Sequence, residues 1–170
     1  MSRTTTEKVA VTVVLVAWWI AMPQVGYVSP AGEPPVTVGV EVLMHAVYML
    51  CHGNVWHLCG NLFAWWLMGG RLWLKEGVLT AFVMSWLPVW YLWGDGGMTL
   101  GFSGVLFAIM GMKWGSAVVR QQTGRRRKLF LGFCWKALLF ALVGAVIPHV
   151  NWCLHLYCLM GGFAYGWARE

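Results

Sequence analysis

Four polar residues stand near the ends of three different apolar segments, and their side chains are of the kinds that acyl-transfer chemistry uses. His57 and Asn61 share one segment, Ser103 opens a second and His155 opens a third. Imidazole is the usual base for a serine nucleophile. Isolated polar side chains within membrane spans are costly, so polar groups that converge at one depth indicate a reaction centre.

The serine lies in the sequence Gly101-Phe102-Ser103-Gly104, at the junction between a loop and a predicted helix. The adjacent glycines leave an open approach to its hydroxyl. The first turn of a helix also has free backbone N–H groups that can bind a developing oxyanion. The pattern is short, and Gly and Ser in membrane helices more often mark close packing. Ser103 is therefore a candidate nucleophile that requires a base.

Small residues recur below both Ser103 and His155 at helical spacing. The two rows are Ser103, Phe107, Gly111 and Gly115 in one segment and His155, Cys158, Gly162 and Gly166 in the other. Small residues let two membrane helices approach closely, which would hold the hydroxyl near the imidazole. Phe107 would then pack against the imidazole ring. The alternative is that His155 is a hydrogen-bonded packing residue.

His57 and Asn61 are four residues apart and project from one face of a helix. Two neutral donors at this position suit the stabilisation of an oxyanion in a site of low dielectric constant. The alternative is a metal site with ligands drawn from His52, His57, Cys51 and Cys59. Asn61 is a poor ligand for such a site and no acidic residue lies nearby, so we predict neither a metal nor another cofactor.

The composition is that of an integral membrane protein. Of the 170 residues, 59% are hydrophobic and 11% are charged, and the mean hydropathy is +0.65. A soluble domain of this length cannot bury so much apolar surface. The five cysteines form no C-x-x-C pair and are an odd number, so we interpret them as small apolar packing residues.

Six apolar segments are predicted to span the membrane. They are residues 9–27, 55–70, 77–93, 102–119, 129–147 and 152–167, and the first is not followed by a signal-peptide cleavage site. Residues 36–50 are also apolar, but this stretch is short and carries Glu41 and His45, so we expect an element in the outer interface. The predicted fold class is an all-α membrane protein, a six-helix bundle with residues 1–170 in a single domain.

The net charge of +6 sets the predicted orientation and does not indicate nucleic-acid binding. With the N-terminus inside, the three outer loops contain no Lys or Arg. The basic residues of the inner segments are Arg3, Lys8, Arg71, Lys75, Arg120, Arg125, Arg126, Arg127, Lys128 and Arg169. This positive-inside pattern places both termini in the cytoplasm and the polar groups near the outer face. Asp95 is the outer-loop acid near Ser103, but it lies among glycines typical of a turn, so a serine–histidine dyad is the simplest hypothesis.

The chain resembles the rhomboid intramembrane serine proteases in their minimal six-helix bacterial form. The resemblance runs from about residue 37 to the C-terminus. It rests on His52-x4-His57-x3-Asn61, Gly101-x-Ser103-Gly104 and His155, which occur in this order. It implies a catalytic dyad of Ser103 and His155 and an oxyanion hole formed by His57, Asn61 and the Ser103 backbone N–H. The supporting residues would be Gly101, Gly104, Phe107 and His52.

The resemblance also implies the partners. Rhomboid proteases hydrolyse peptide bonds in or near the transmembrane helices of other membrane proteins, within the lipid bilayer. The expected location is a bacterial inner membrane, with the active site towards the periplasmic side. The sequence indicates neither the individual substrate nor the oligomeric state.

Four features depart from the family pattern. The first outer loop has no arginine, Trp73 stands where an acidic residue is usual, Phe107 replaces a common tyrosine, and Cys158 replaces the first glycine of a Gly-x3-Gly pair. Two other functions remain open at this stage. One is a proteolytically inactive rhomboid-like protein that binds membrane clients, and the other is a small metal or proton transporter that uses the histidines.

Overall fold

The computed structural model describes residues 3–24, 27–28, 38–68, 71–87, 98–146 and 150–170, which form seven helices and one pair of short strands. The helices are α1 (Arg3–Ala21), α2 (Val38–Val47), α3 (Val55–Met68), α4 (Arg71–Met84), α5 (Ser103–Val119), α6 (Thr123–Val146) and α7 (Trp152–Ala168). A 3-10 turn, Tyr48–Leu50, follows α2. The strands β1 (Tyr27–Val28) and β2 (Met98–Thr99) pair in an antiparallel sense.

Several helix boundaries differ from those of the predicted spans. Helices α1, α4 and α6 begin at Arg3, Arg71 and Thr123, before the apolar segments start. Helical hydrogen bonds continue through turns that contain charged residues, and spans predicted from hydropathy leave such turns out. Helix α1 ends at Ala21 rather than near residue 27, since Pro23 disfavours helical geometry in the residue before it. Parts of the predicted spans 77–93 and 129–147 and the loop of residues 29–35 lie outside the described residues.

The outer surface of the bundle is strongly apolar. Trp56 is 80% exposed, Ile20 is 74% exposed and Phe63 is 67% exposed, and α6 presents a row of large apolar side chains. A soluble monomer rarely exposes contiguous apolar area of this extent, so this surface is suited to lipid. Among the described residues, one helix, Thr4–Ala21, is both long and apolar enough to cross a membrane on these two criteria, while Gly39–Leu50 and Ser103–Val119 are shorter apolar helices.

Helices α5 and α7 form the tightly packed centre of the fold. A Cβ atom on Gly111 would overlap the backbone carbonyl of Leu159, and one on Gly162 would overlap the carbonyl of Ala108. Gly115 and Gly166 make equivalent contacts one turn further from Ser103. The rows of small residues predicted from the sequence therefore lie at the contact between these helices, where the backbones approach without intervening side chains.

Polar contacts join the ends of this helix pair. Asn151 caps α7 by accepting a hydrogen bond from the Leu154 N–H at 3.0 Å, and its side-chain NH2 donates to Thr99 Oγ1 of β2 at 2.8 Å. At the opposite end, Arg120 donates to both carboxylate oxygens of Glu170, at 2.8 and 2.7 Å. These contacts fix the axial position of α7 relative to α5.

Candidate active site

The structure brings Ser103 and His155 together at one end of the α5–α7 pair. Ser103 Oγ lies 2.7 Å from His155 Nε2, a hydrogen-bonding distance between two residues that are 52 positions apart in the chain. Each residue lies in the first turn of its helix, and the close glycine packing below keeps these turns adjacent. A hydroxyl that donates to an unprotonated imidazole nitrogen is the arrangement that general-base activation of a nucleophile requires.

Two aromatic rings contact the imidazole of His155. Phe107, one turn below the serine, stacks on it with ring centroids 4.6 Å apart and an interplanar angle of 29°. Phe140 of α6 packs at 6.0 Å from the imidazole and at 4.5 Å from Phe107. His155 Nδ1 is buried and has no hydrogen-bond partner among the described residues. The ring is thus oriented by packing, with no carboxylate described at the position that a third triad member would occupy.

His57 and Asn61 lie beside the loop that leads into α5. Gly101 has a φ of +122°, and a Cβ there would fall 2.7 Å from His57 Nε2 and 3.4 Å from Asn61 Nδ2. A side chain at residue 101 would therefore be strained by its backbone geometry, would clash with the His57 ring and would touch Asn61 Nδ2 at ordinary contact distance. Asn61 is buried, and its Nδ2 is among the buried nitrogens without a partner in the described part of the chain. An unpaired buried amide donor is costly unless a ligand oxygen supplies its acceptor.

The loop before Ser103 is held in place by contacts that the sequence did not reveal. The Gly101 N–H donates to the Tyr48 carbonyl at 2.8 Å, and the Tyr48 hydroxyl donates to the carbonyl of Ala81 at 3.2 Å. Phe102 is buried and packs edge-to-face on Trp65 of α3 at 5.8 Å. Tyr48 and Phe140 belong to no sequence motif. Their proximity to Ser103 and His155 depends on how the helices pack against one another, which the sequence pattern does not give.

His52 lies in the turn before α3 and is completely buried. Its Nδ1 is 3.3 Å from the Leu50 carbonyl, to which a protonated Nδ1 donates, and its ring meets the His57 ring edge-to-face at 5.1 Å. Burial, reinforced by the adjacent His57, lowers the pKa of His52 to about 4, so the ring is neutral at physiological pH.

Gly104 and Cys158 meet beneath the serine. A Cβ on Gly104 would contact the Tyr48 hydroxyl at 3.1 Å and the Cys158 sulfur at 3.4 Å. Cys158 thus fills the space next to Gly104, while α5 and α7 remain in close contact at Gly162. The described residues include no group of three His, Cys, Asp or Glu side chains that could hold a metal ion. Asp95 lies outside the described residues.

A family model described as the Rhomboid domain matches residues 40–169, which include every predicted site residue. The chain belongs to the rhomboid family. The family resemblance inferred from the sequence is thus confirmed, and the all-α membrane fold agrees with it. No curated protein matches the chain.

Rhomboid proteins are integral membrane proteins, in general intramembrane serine proteases that act on transmembrane substrates within the bilayer. The family also includes inactive members, so activity must be argued from the site itself. In this rhomboid, Phe107 retains the ring contact with the histidine that the sequence predicted, and the packing of Phe140 on the same ring is an addition.

Proposed function

We propose that this rhomboid is an active intramembrane serine endopeptidase in which Ser103 is the nucleophile and His155 the general base. The observation that carries the proposal is the 2.7 Å contact between Ser103 Oγ and His155 Nε2, next to a loop that lies beside the His57 and Asn61 nitrogens. An inactive member needs no such contact, and neither a metal nor a proton transporter needs a serine flanked by glycines at a helix N-terminus. The substrates are transmembrane proteins, cleaved at peptide bonds in or near their membrane spans.

The chemistry follows from the positions of the polar atoms. His155 Nε2 takes the Ser103 proton as Oγ attacks the scissile carbonyl carbon, and the resulting imidazolium donates that proton to the leaving amine. Water entering from the outer side is then deprotonated by His155 and hydrolyses the acyl-enzyme. This releases the carboxylate product and restores the serine hydroxyl.

The oxyanion of the tetrahedral intermediate is bound by Asn61 Nδ2, the imidazole of His57 and the backbone N–H of Ser103. The unpartnered state of Asn61 Nδ2 within the described chain supports this role, because an intermediate oxygen would satisfy it. Gly101 supports it as well, since its missing side chain leaves the His57 and Asn61 donors uncovered.

The proposed topology follows the charge distribution. Helix α1 and helices α3 to α7 span the membrane, α2 lies in the outer interface, and both termini face the cytoplasm. The dyad then opens towards the periplasmic side of a bacterial inner membrane. Several of the helices are short: 14 residues of α3 rise only about 21 Å, less than a hydrocarbon core of about 30 Å. Helix ends that stop below the surface allow water to reach the serine.

A serine-directed fluorophosphonate probe tests this proposal. In lipid nanodiscs, the wild-type protein should be labelled at Ser103, as located by peptide mass mapping, and a reporter transmembrane substrate should be cleaved. Both signals should be lost in Ser103→Ala, and labelling should be lost in His155→Ala, with Ser116→Ala as a control serine on the same helix. Cleavage that persists in Ser103→Ala would overturn the proposal, and wild-type protein that is neither labelled nor active would favour a client-binding rhomboid.

A further inference from the structure

The side chain of Gln24 connects the end of α1 to the segment that precedes α3. Its Nε2 donates to the carbonyls of Trp19 and Met22, at 3.2 and 2.8 Å, and so caps the last turn of α1. Its Oε1 accepts a hydrogen bond from the backbone N–H of His52 at 2.8 Å. Gln24 lies outside the matched residues 40–169, so the family pattern does not account for it.

The His52 residue that Gln24 holds is fixed at two points. Its backbone N–H is bound by Gln24, and its ring nitrogen Nδ1 is bound to the Leu50 carbonyl. Because the residue is fully buried, its ring has little room to reorient. The His52 and His57 rings meet in an edge-to-face arrangement, with an interplanar angle of 66°.

His57 in turn has two close neighbours at its imidazole. The His52 ring packs against it, and Gly101 lies so close to it that a side chain at residue 101 is excluded. The His57 backbone is also tied down, because its N–H donates to Asn54 Oδ1 at 2.9 Å. The His57 imidazole can therefore move mainly by rotation of its side chain. The neighbouring His52 ring limits that rotation.

We infer that Gln24 is a positioning residue for His57, acting through His52, and so controls how well the oxyanion is stabilised. The inference rests on the proposed function, since it assigns His57 to the oxyanion hole. Without the Gln24 acceptor, the His52 backbone N–H loses its partner and the turn before α3 shifts. The His57 imidazole then moves away from the position that the oxyanion occupies.

Two substitutions of Gln24 separate this role from simple capping of α1. Gln24→Glu keeps a side-chain oxygen for the His52 N–H but removes the NH2 group that donates to Trp19 and Met22. Gln24→Ala removes both. A displacement of about 1 Å at an active site can cost about 100-fold, so we expect Gln24→Ala to lower kcat about tenfold with KM little changed. Gln24→Glu should retain most of the wild-type kcat.

A double-mutant cycle with His57→Ala identifies the route of the effect. The second-order rate of fluorophosphonate labelling at Ser103 is the readout, because it requires no turnover. If Gln24 acts through His57, Gln24→Ala should slow labelling in the wild-type background and have no further effect in the His57→Ala background. Gln122→Ala, at an exposed glutamine, is the matched control and should leave labelling unchanged.

Three results would overturn the inference while leaving the protease proposal intact. They are an unchanged kcat in Gln24→Ala, equal losses in the Glu and Ala variants, and equal slowing of labelling in both backgrounds. Thermal unfolding midpoints for each variant would show whether a loss merely follows lower stability. Failure of the protease proposal is distinguishable, because Ser103 of the wild-type protein would then not be labelled at all.

Discussion

The described part of the chain contains two serine–histidine pairs with the same separation, in different surroundings. Ser103 Oγ lies 2.7 Å from His155 Nε2, and Ser85 Oγ lies 2.7 Å from His45 Nδ1. His45 belongs to α2 and stacks on Trp86 at 4.1 Å, much as His155 stacks on Phe107. Distance and ring stacking therefore do not distinguish a reactive pair from a structural one.

A second hydrogen bond fixes the direction of donation in the Ser85 pair. The Ser85 hydroxyl donates to the Phe82 carbonyl at 2.6 Å, so its oxygen accepts from the Nδ1–H of His45. The histidine is then a donor and cannot take the serine proton. This pair joins α2 to the end of α4. The Ser85 hydroxyl both donates to the Phe82 carbonyl and accepts from His45.

The Ser103 pair differs in the groups around it. Gly101 has no side chain and so leaves the His57 and Asn61 nitrogens uncovered beside the loop that leads into Ser103. Chemistry at a serine needs a base, an open path and a group that binds the developing charge. A serine–histidine contact therefore indicates catalysis only together with such neighbouring donors, as at Ser103.

The largest predicted effect comes from removing each hydroxyl in turn. Ser103→Ala should lower cleavage of a transmembrane reporter by at least about 10⁴-fold, since loss of the nucleophile removes the covalent route. Ser85→Ala should keep activity within about threefold and cost about 1–3 kcal/mol of stability, because it removes two hydrogen bonds. Initial rates in nanodiscs and unfolding midpoints measure both. An equal loss of activity in the two variants would remove the distinction between the pairs.

The second prediction concerns the oxyanion donors, which the Ser85 pair lacks. Gly101→Ala should lower kcat by about 10²-fold, because the new Cβ meets the His57 ring at 2.7 Å and the backbone must leave a φ of +122°. Gly53→Ala is the matched control, since its Cβ would make an ordinary 3.7 Å contact with Leu100. A Gly101→Ala enzyme with wild-type kcat would show that these donors do not bind the intermediate.

The sequence predicted the Ser103–His155 pair better than its surroundings. Ser103, His155, Phe107 and the glycine rows follow from helical spacing, because residues on one helix face have a fixed geometry. The sequence did not predict the contacts of Phe140 and Tyr48 at the site, because their positions depend on how one helix rotates against another. His45 was noted only as a polar residue in the predicted interface element, and its pairing with Ser85 joins segments 40 residues apart.

The ends of the helices were also less predictable than the helices themselves. The apolar segments located the cores of the helices, but charged first turns and Pro23 set where helices begin and end. The fold class and the family follow from composition and motif. The number of spans and the orientation stay predictions that rest on charge distribution.

The third prediction tests whether helix packing holds the reactive pair together. Gly162→Ala introduces a Cβ that overlaps the Ala108 carbonyl, and overpacking of this kind costs about 1–3 kcal/mol. If this overlap pushes α5 and α7 apart, labelling at Ser103 should also fall. The contact between His45 of α2 and Ser85, which follows α4, should persist. Gly132→Ala is the control, with no heavy atom within 4 Å of its Cβ. Unchanged labelling in Gly162→Ala would mean that the glycine contact does not position the dyad.

The smallest predicted effect is the acid sensitivity of the structural pair. Burial lowers the pKa of His45 below its usual 6.5, against the opposing effect of Glu41. The folded state therefore favours the neutral ring, and the unfolded chain takes up the proton first as the pH falls below about 6.5. The contribution of His45 to stability is complete above that pH and is lost as the pH falls through the folded-state pKa.

The unfolding midpoint of the wild-type protein should accordingly fall between pH 7 and pH 5, and the fall should be smaller in His45→Phe, which retains a ring to stack on Trp86. Part of the fall should remain in this variant, because His52, with a pKa of about 4, acts with the same sign. Midpoints at a series of pH values in nanodiscs measure both. If the pH dependence is identical in the two proteins, protonation of His45 does not oppose folding, and burial does not lower its pKa.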